Sequence, residues 1–286
     1  MTSNETIACV GELLWDVLPD GRTLGGAPAN VAYHLARLGY SATLVTRVGR
    51  DELGDAARAD LAAHGLRVAE VQVDDALPTG AAHVTLDAHG HAAYRFVTPA
   101  AFDAIEQPVC TPDVVVFGTL AQRDARSRET IRRVAAGARI AAYDVNLRPP
   151  HTSLETVIAS LPLATIVKVS EEESDTLSAA LGAPAGHAAF ARFVSERFGA
   201  RLVCVTRGAG GAGLWAAGVW HDVAGIAAKA TDTVGAGDAF VAALLAGWLE
   251  GRAPAETLER ANRLGAYVAG RRGAMPEYDA SALHLR

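Results

Sequence analysis

Short apolar, β-branched runs alternate along this chain with longer stretches in which apolar residues recur every three or four positions. Ile7 to Val10, Ala42 to Val48, Val114 to Phe117, Ile140 to Val145, Thr165 to Val169 and Leu202 to Thr206 read as buried strands. Helices are predicted between them. Pro28 to Leu38 places Val31, Leu35 and Leu38 on one face with Gly39 as a C-terminal stop, and Asp51 to His64, Glu129 to Ala136, Ser170 to Leu181, His187 to Phe198 and Pro254 to Val268 follow the same period. A more uniformly apolar helical run covers Ala239 to Leu249. The alternation predicts an α/β fold: a mostly parallel sheet with helices on both faces.

Two segments break this rhythm. Residues 12–24, with Pro19-Asp20-Gly21 as a turn, and residues 79–97, with Asp87 to His91 as a turn, read as hairpins with no helix between their strands. They are either ordinary edge hairpins or a small antiparallel sheet forming a lid over one end of the main domain. With no repeat, linker or low-complexity tract, residues 1–286 are expected to form one domain plus this lid.

Composition narrows the class. Half of the 286 residues are hydrophobic, enough for a substantial core, and no apolar stretch approaches the roughly 18 residues that span a bilayer. Met1 to Thr6 lacks a basic, then apolar, leader, so a cytoplasmic location is expected. Cys9, Cys110 and Cys204 are scattered within or beside apolar runs, which suits reduced core thiols better than disulfides or a zinc site. The formal charge of −6 argues against a general nucleic-acid or anionic-membrane binder. Lys168 and Lys229 are the only lysines and no Gly-Lys-Ser or Gly-Lys-Thr occurs, which removes the P-loop.

The chemistry concentrates in a few motifs. In Thr231-Asp232-Thr233-Val234-Gly235-Ala236-Gly237-Asp238 a carboxylate sits behind a Gly-Ala-Gly turn and ahead of a helix. Free amides at a helix start attract anions, small residues admit a phosphate, and Asp238 either caps the helix or accepts a proton from an attacking hydroxyl. Gly25-Gly26-Ala27-Pro28-Ala29-Asn30 opens the first long helix, where the glycines are a turn or a close approach for a polyol and Asn30 offers a donor and an acceptor. Asp16, after the first strand, is either solvated or a ligand for vicinal hydroxyls. Ser170 to Glu173 matches a capping box; in a functional version Glu173 organises water around magnesium.

Gly208 to Gly213 contains G-x-G-x-x-G, but a dinucleotide fingerprint would open a helix and be followed about twenty residues on by an acid, whereas Leu214 to Trp220 reads as a hairpin. A glycine-rich edge for a nucleotide, with Thr206 as a phosphate donor, fits better. Asp144-Val145-Asn146-Leu147-Arg148 ends a buried strand at the carboxyl edge where α/β ligands bind. Arg148 there holds either a phosphate or sugar oxygen or a surface ion pair. His83, His89 and His91 show no metal-ligand spacing and read as lid surface or structural residues.

As a set, these motifs resemble the ribokinase-like, PfkB-type carbohydrate kinases, most of all bacterial fructokinases. Gly25 to Asn30 looks like the family's N-terminal signature, Asp232 to Asp238 like its C-terminal one, and the match covers nearly the whole chain. The resemblance implies a three-layer ribokinase-like fold and ATP-dependent phosphorylation of a sugar, fructose to fructose 6-phosphate. The Gly-Glu-Leu-Leu-Trp-Asp start and the Asp144 to Pro150 segment favour fructose; rivals are 2-keto-3-deoxygluconate, ribose or a nucleoside, with Arg148 suiting an acidic sugar, and a non-catalytic binding member is the alternative outside the enzyme class. The resemblance further implies Asp238 as base and Gly235, Ala236 and Gly237 as anion hole. It places the sugar on Asp16, Gly25, Gly26 and Asn30, and ATP on Ser170, Thr206, Gly208, Gly211 and Asn262. Magnesium would be reached by Glu173 through water, with Ser170 standing where the family has Asn. A monovalent cation such as potassium would sit at Asp232 and Val234, facing a late segment like Gly270 to Ala274. Lids of this family often pair between subunits, so a homodimer is expected through that surface.

Overall fold

The computed structural model describes residues 5–18, 21–86, 92–109, 111–226 and 231–285. Met1 to Asn4, the turn residues Pro19 and Asp20, the turn at Asp87 to His91 with its two histidines, Cys110 and Lys229 lie outside the described residues.

The first half runs β1 (Ile7–Val10), β2 (Leu14–Leu18), β3 (Gly21–Gly25), α1 (Ala27–Arg37), β4 (Ala42–Gly49), α2 (Glu52–Ala63), β5 (Val71–Asp74), β6 (Gly80–Leu86) and β7 (Ala92–Phe96). It continues with β8 (Val114–Phe117), α3 (Ala125–Gly137), β9 (Ile140–Asp144), α4 (Leu154–Ser160), β10 (Ile166–Ser170) and α5 (Glu171–Leu181). The remainder is α6 (His187–Phe198), β11 (Leu202–Thr206), β12 (Ala212–Ala216), β13 (Val219–Val223), α7 (Ala236–Leu249) and α8 (Pro254–Ala269). Nine strands form the main sheet in the order β13-β12-β11-β10-β9-β8-β1-β4-β5. Every pairing from β11 through to β5 is parallel, and only the β12–β13 hairpin adds antiparallel edges.

The period-2 geometry of a strand explains the two cores. In β1, Ile7 and Cys9 enter one apolar cluster while Ala8 and Val10 enter the other, and in β9 Ile140 and Ala142 part from Ala141 and Tyr143 in the same way. The first cluster is closed by α1, α2, α7 and α8 through residues such as Leu35, Leu61, Leu244 and Leu258, and the second by α3 to α6 through Ile131, Val157, Leu177 and Phe190. Helix α7 is apolar all round because it is the innermost helix of its layer, packed against both α1 and α8.

The sequence expectations need four corrections. The small sheet is mixed, not antiparallel: its order is β3-β2-β6-β7, and the two hairpins meet through their first strands, which lie parallel with Trp15 opposite Ala81. Helix α3 starts at Ala125, not Glu129, because the Asp124 carboxylate caps the Arg126 amide ahead of a polar first turn that carries no apolar period. Helix α4, capped by Ser153, and strand β5 were not predicted; both are too short for a periodic pattern. Helix α7 begins at Ala236, so Gly237 and Asp238 are helical although they precede the apolar run. None of the helices among the described residues is long and apolar enough to cross a membrane.

Candidate functional site

The carboxyl ends of the parallel strands, together with the start of α7, border two cavities of about 610 and 670 Å³. The first is lined by Asp16, Gly25, Gly26, Asn30, Arg148, Val234, Gly235 and Asp238, all expected from sequence. The second is lined by Ser170, Thr206, Gly208, Gly211, Ala236 and Asn262, again all expected, with Phe240 and Ala266 giving it an apolar wall. Thr233 and Gly237 line both. The two cavities therefore meet at the first turn of α7, with Asp238 in the first and Ala236 in the second.

Asp238 does not cap the helix. The N-cap position is Gly235, in the left-handed region at φ 77°, and Asp238 lies three residues further in. Its Oδ2 instead accepts a hydrogen bond from Nδ2 of Asn30 in α1, at 2.7 Å. The Ala236 amide makes only a long 3.3 Å bond to the Thr233 carbonyl, and the amides of Gly237 and Asp238 fall in the first turn, where a helix supplies no carbonyl of its own. Helix starts of this kind hold anions. Gly235 cannot be replaced without movement, since a side chain there would overlap Ala274 as well as sit at positive φ. Gly26, at φ 123°, is similarly bound to be glycine because a Cβ would run into the Glu12 carbonyl, and this brings the start of α1 down onto the end of β1.

The Asp238 carboxyl departs from the ordinary acidity of an aspartate. Burial pushes its pKa up to about 6, the Asp144 charge adds to the rise, and Asn30, Lys168 and Arg148 oppose it. At neutral pH it is still mainly ionised. Beneath it, Lys168 Nζ and Asp144 Oδ1 form a buried ion pair at 3.0 Å. Burial presses the lysine down, but the Asp144 and Glu173 charges outweigh that and hold it raised. A Cβ added at Gly237 would stand 3.5 Å from this ammonium, so Lys168 lies beside the first turn of α7.

Sequence reasoning assigned no role to Glu12 or Lys168, and placed Asp144 at the ligand-binding edge without giving it one. All three line the first cavity: Asp144 ends β9, Glu12 lies two residues beyond β1, and Lys168 is the middle residue of β10. For Asp144 and Glu12 that edge, common to α/β ligand sites, was the signal available. Arg148 is exposed, lines the first cavity, and donates from Nη1 to the Leu147 carbonyl.

Ser170 and Glu173 form the capping box: the Ser170 hydroxyl accepts from the Glu173 amide, and Glu173 Oε2 accepts from the Ser170 amide at 2.7 Å. Glu173 Oε1 accepts from the Leu147 amide at 2.6 Å, tying the loop after β9 to the start of α5. Glu173 lines neither cavity, while its neighbour Glu172 lines the second. No cluster of three or more His, Cys, Asp or Glu able to hold a metal occurs among the described residues. The donor set fits magnesium carried on phosphates and reached through water, which is how that ion is commonly bound, better than a cage of protein ligands.

Asp232 ties two segments together, with Oδ1 accepting from the Val234 amide and Oδ2 from the Gly273 amide, each at 3.0 Å. The loop around Asp232 and the late segment from Gly270 to Ala274 are thus adjacent, as expected, and the Val234 side chain is 48% exposed. Helix α1 braces this late segment from behind: buried His34 contacts the Ala274 carbonyl through Nε2 and the Tyr278 hydroxyl through Nδ1. Burial lowers the His34 pKa to about 4, so the ring is neutral. Asn262 in α8 donates to the Ala224 carbonyl at 3.3 Å, and the Thr206 hydroxyl donates to the Val169 carbonyl at 3.3 Å.

Residues 10–280 match the pfkB family carbohydrate kinase pattern. The chain is 34% identical over 266 residues to a fructokinase of Klebsiella pneumoniae, a match covering 85% of this chain and 84% of the relative. Among solved structures it is similar to a double mutant of fructokinase from Vibrio cholerae O395 with fructose, ADP and potassium ion bound (TM-score 0.86, 26% identity, 99% of this chain and 98% of that one). It is also similar to aminoimidazole riboside kinase from Salmonella enterica complexed with aminoimidazole riboside and an ATP analogue (TM-score 0.80, 26% identity, 98% and 99%).

Proposed function

Because this chain belongs to the pfkB family of carbohydrate kinases, we propose that it phosphorylates fructose with ATP, giving fructose 6-phosphate, and that Asp238 is the base. The observation that carries this reading is the meeting of the two cavities at the first turn of α7, with the only carboxylate of that turn facing the first. Fructose binding is supported by the fructose-bound relative and by the fructokinase from Klebsiella pneumoniae.

In this reading the sugar lies in the first cavity, held by Asp16, Asn30 and Arg148 and by close approach to Gly25 and Gly26. ATP lies in the second, its base against the Asn262 side of α8 and its phosphates toward Thr206, Gly208 and Gly211. The sugar oxygen attacks the γ-phosphorus, the bond to the bridging oxygen of ADP breaks, and the hydroxyl proton passes to Asp238. Phosphoryl transfer of this kind has a loose transition state, so alignment and neutralisation of the equatorial oxygens account for most of the acceleration. The amides at Gly235, Ala236 and Gly237 supply that neutralisation. Magnesium, when bound to the nucleotide, would neutralise further phosphate charge, with Glu172 and Glu173 reaching it through water. The Asp232 loop beside Gly273, with the Val234 carbonyl, is the proposed seat of potassium. A cytoplasmic location, where ATP is supplied and buried thiols such as Cys9 and Cys204 stay reduced, belongs to the same proposal. So does pairing of two copies through the small sheet, whose outer strands β3 and β7 keep open edges.

A second reading has an observation behind it. Arg148 lines the first cavity, where a guanidinium would suit an acidic sugar such as 2-keto-3-deoxygluconate. A panel of fructose, 2-keto-3-deoxygluconate, ribose and nucleosides with ATP separates the two. Turnover of fructose well above the others is expected; preference for the acidic sugar with none for fructose overturns the assignment.

A further inference from the structure

Two oxygens in the wall of the first cavity are buried and have no hydrogen-bond partner among the described residues: Oδ1 of Asn30 and Oε2 of Glu12. Native proteins satisfy nearly all their buried polar atoms, so an orphan in a binding cavity points to a ligand. The Asn30 oxygen is accounted for by a sugar hydroxyl. Glu12 has no part in the chemistry described so far, yet it is only 5% exposed and sits at the junction of β1 with the small sheet. Its backbone is fixed there by the close approach of Gly26.

The charges around it decide its protonation. Glu12, Asp16, Asp144 and Asp238 line the cavity against Arg148 and Lys168. Lys168 is committed to Asp144, which leaves one exposed guanidinium for three carboxyls. Asp238 has to be ionised to act as a base, and a buried neighbour of an anion is driven to keep its proton. A protonated carboxyl has an O–H to donate, which no ionised one has.

We propose that Glu12 is a direct sugar ligand, its free carboxyl oxygen donating a hydrogen bond, as the neutral acid, to a hydroxyl of the bound sugar. The inference rests on the sugar-kinase reading. It sets one donor carboxyl beside the acceptor carboxylates of Asp16 and Asp238, so that neighbouring hydroxyls are read in opposite senses. Burial pushes the Glu12 carboxyl up to about 7; its own amide and that of Ala121, with Arg148, oppose the rise, and Asp238 adds to it.

The test is the KM for fructose, at saturating ATP, from pH 6 to 9 in wild type, Glu12→Gln and Glu12→Ala. Loss of the donor above pH 7 should raise the wild-type KM by roughly tenfold or more by pH 9. Glu12→Gln, whose amide still donates, should flatten this rise. Glu12→Ala should raise KM about tenfold even at pH 6, the effect of one lost hydrogen bond. A Glu12→Gln profile that climbs with the wild type, or an unchanged KM in Glu12→Ala, overturns the assignment. Wild-type turnover of fructose with a KM flat across the range overturns it without any variant, whereas absence of sugar-dependent turnover strikes the kinase reading itself.

Discussion

The side chains of Asn30 and Asp238 meet in a 2.7 Å hydrogen bond, 208 residues apart in sequence, and so join the start of α1 to the start of α7. Asn30 cannot take up a proton, and its bond engages Oδ2 of Asp238. A carboxylate held this way loses rotational freedom, at some cost in basicity because the bond from Asn30 lowers its pKa.

The first prediction concerns pH. With its pKa near 6, Asp238 is protonated as the medium is acidified through that value, and a protonated base cannot accept the hydroxyl proton. Activity, measured as kcat/KM for the sugar, should fall about tenfold for each pH unit below roughly 5.5. A profile level down to pH 4.5 would show that no group of this acidity is required.

The same burial makes the active enzyme less stable than it need be. Folding raises the Asp238 pKa from 3.8 to about 6, so the carboxyl favours the folded state fully below 3.8 and loses that contribution as pH rises through about 6. At pH 8 the difference is on the order of 2–3 kcal/mol. Asp238→Asn does not titrate, and it should melt roughly 5 °C above wild type at pH 8, with the gap closing toward pH 4. Calorimetry at the two pH values checks both the sign and the convergence.

Gly235→Ala should separate folding from catalysis. The methyl group would overlap Ala274 at a position with φ 77°, displacing the turn that carries the amides. A stability cost of about 1–3 kcal/mol is expected, together with a loss in kcat of roughly two orders of magnitude, the scale seen when an anion-hole donor is lost. Retention of full kcat would exclude these amides from the chemistry.

Much of this site was legible in the chain because its parts are local. Gly25 to Asn30 and Asp232 to Asp238 each announce a turn followed by a helix, and the topology had only to bring the two helix starts together. What could not be read were the pairings across the sheet. Lys168 and Asp144 sit in apolar strands 24 residues apart, and nothing in either strand says that the other lies beside it. Glu12 looked like the first residue of a hairpin, since a carboxyl that ends up buried is written with the same letter as a solvated one. The parallel junction of the two hairpins was hidden for a similar reason: alternation gives a strand's faces, not its neighbours.

That unseen pair leads to a fourth prediction. Lys168→Met strands Asp144 as a buried lone charge, and should destabilise the fold by about 3–5 kcal/mol in urea titrations. Adding Asp144→Leu should recover most of that loss, because removing both charges removes the desolvation cost with them. Activity should not recover, since both charges are gone from the lining of the first cavity beside Gly237.

The account stands most directly on fructose-dependent release of ADP by wild type and by Asp238→Asn. Wild type should consume ATP with fructose and form fructose 6-phosphate, while Asp238→Asn should retain sugar binding in a calorimetric titration and lose at least about a thousandfold in kcat, the scale of a lost general base together with the alignment it provides. Near-normal turnover in Asp238→Asn would contradict the central claim.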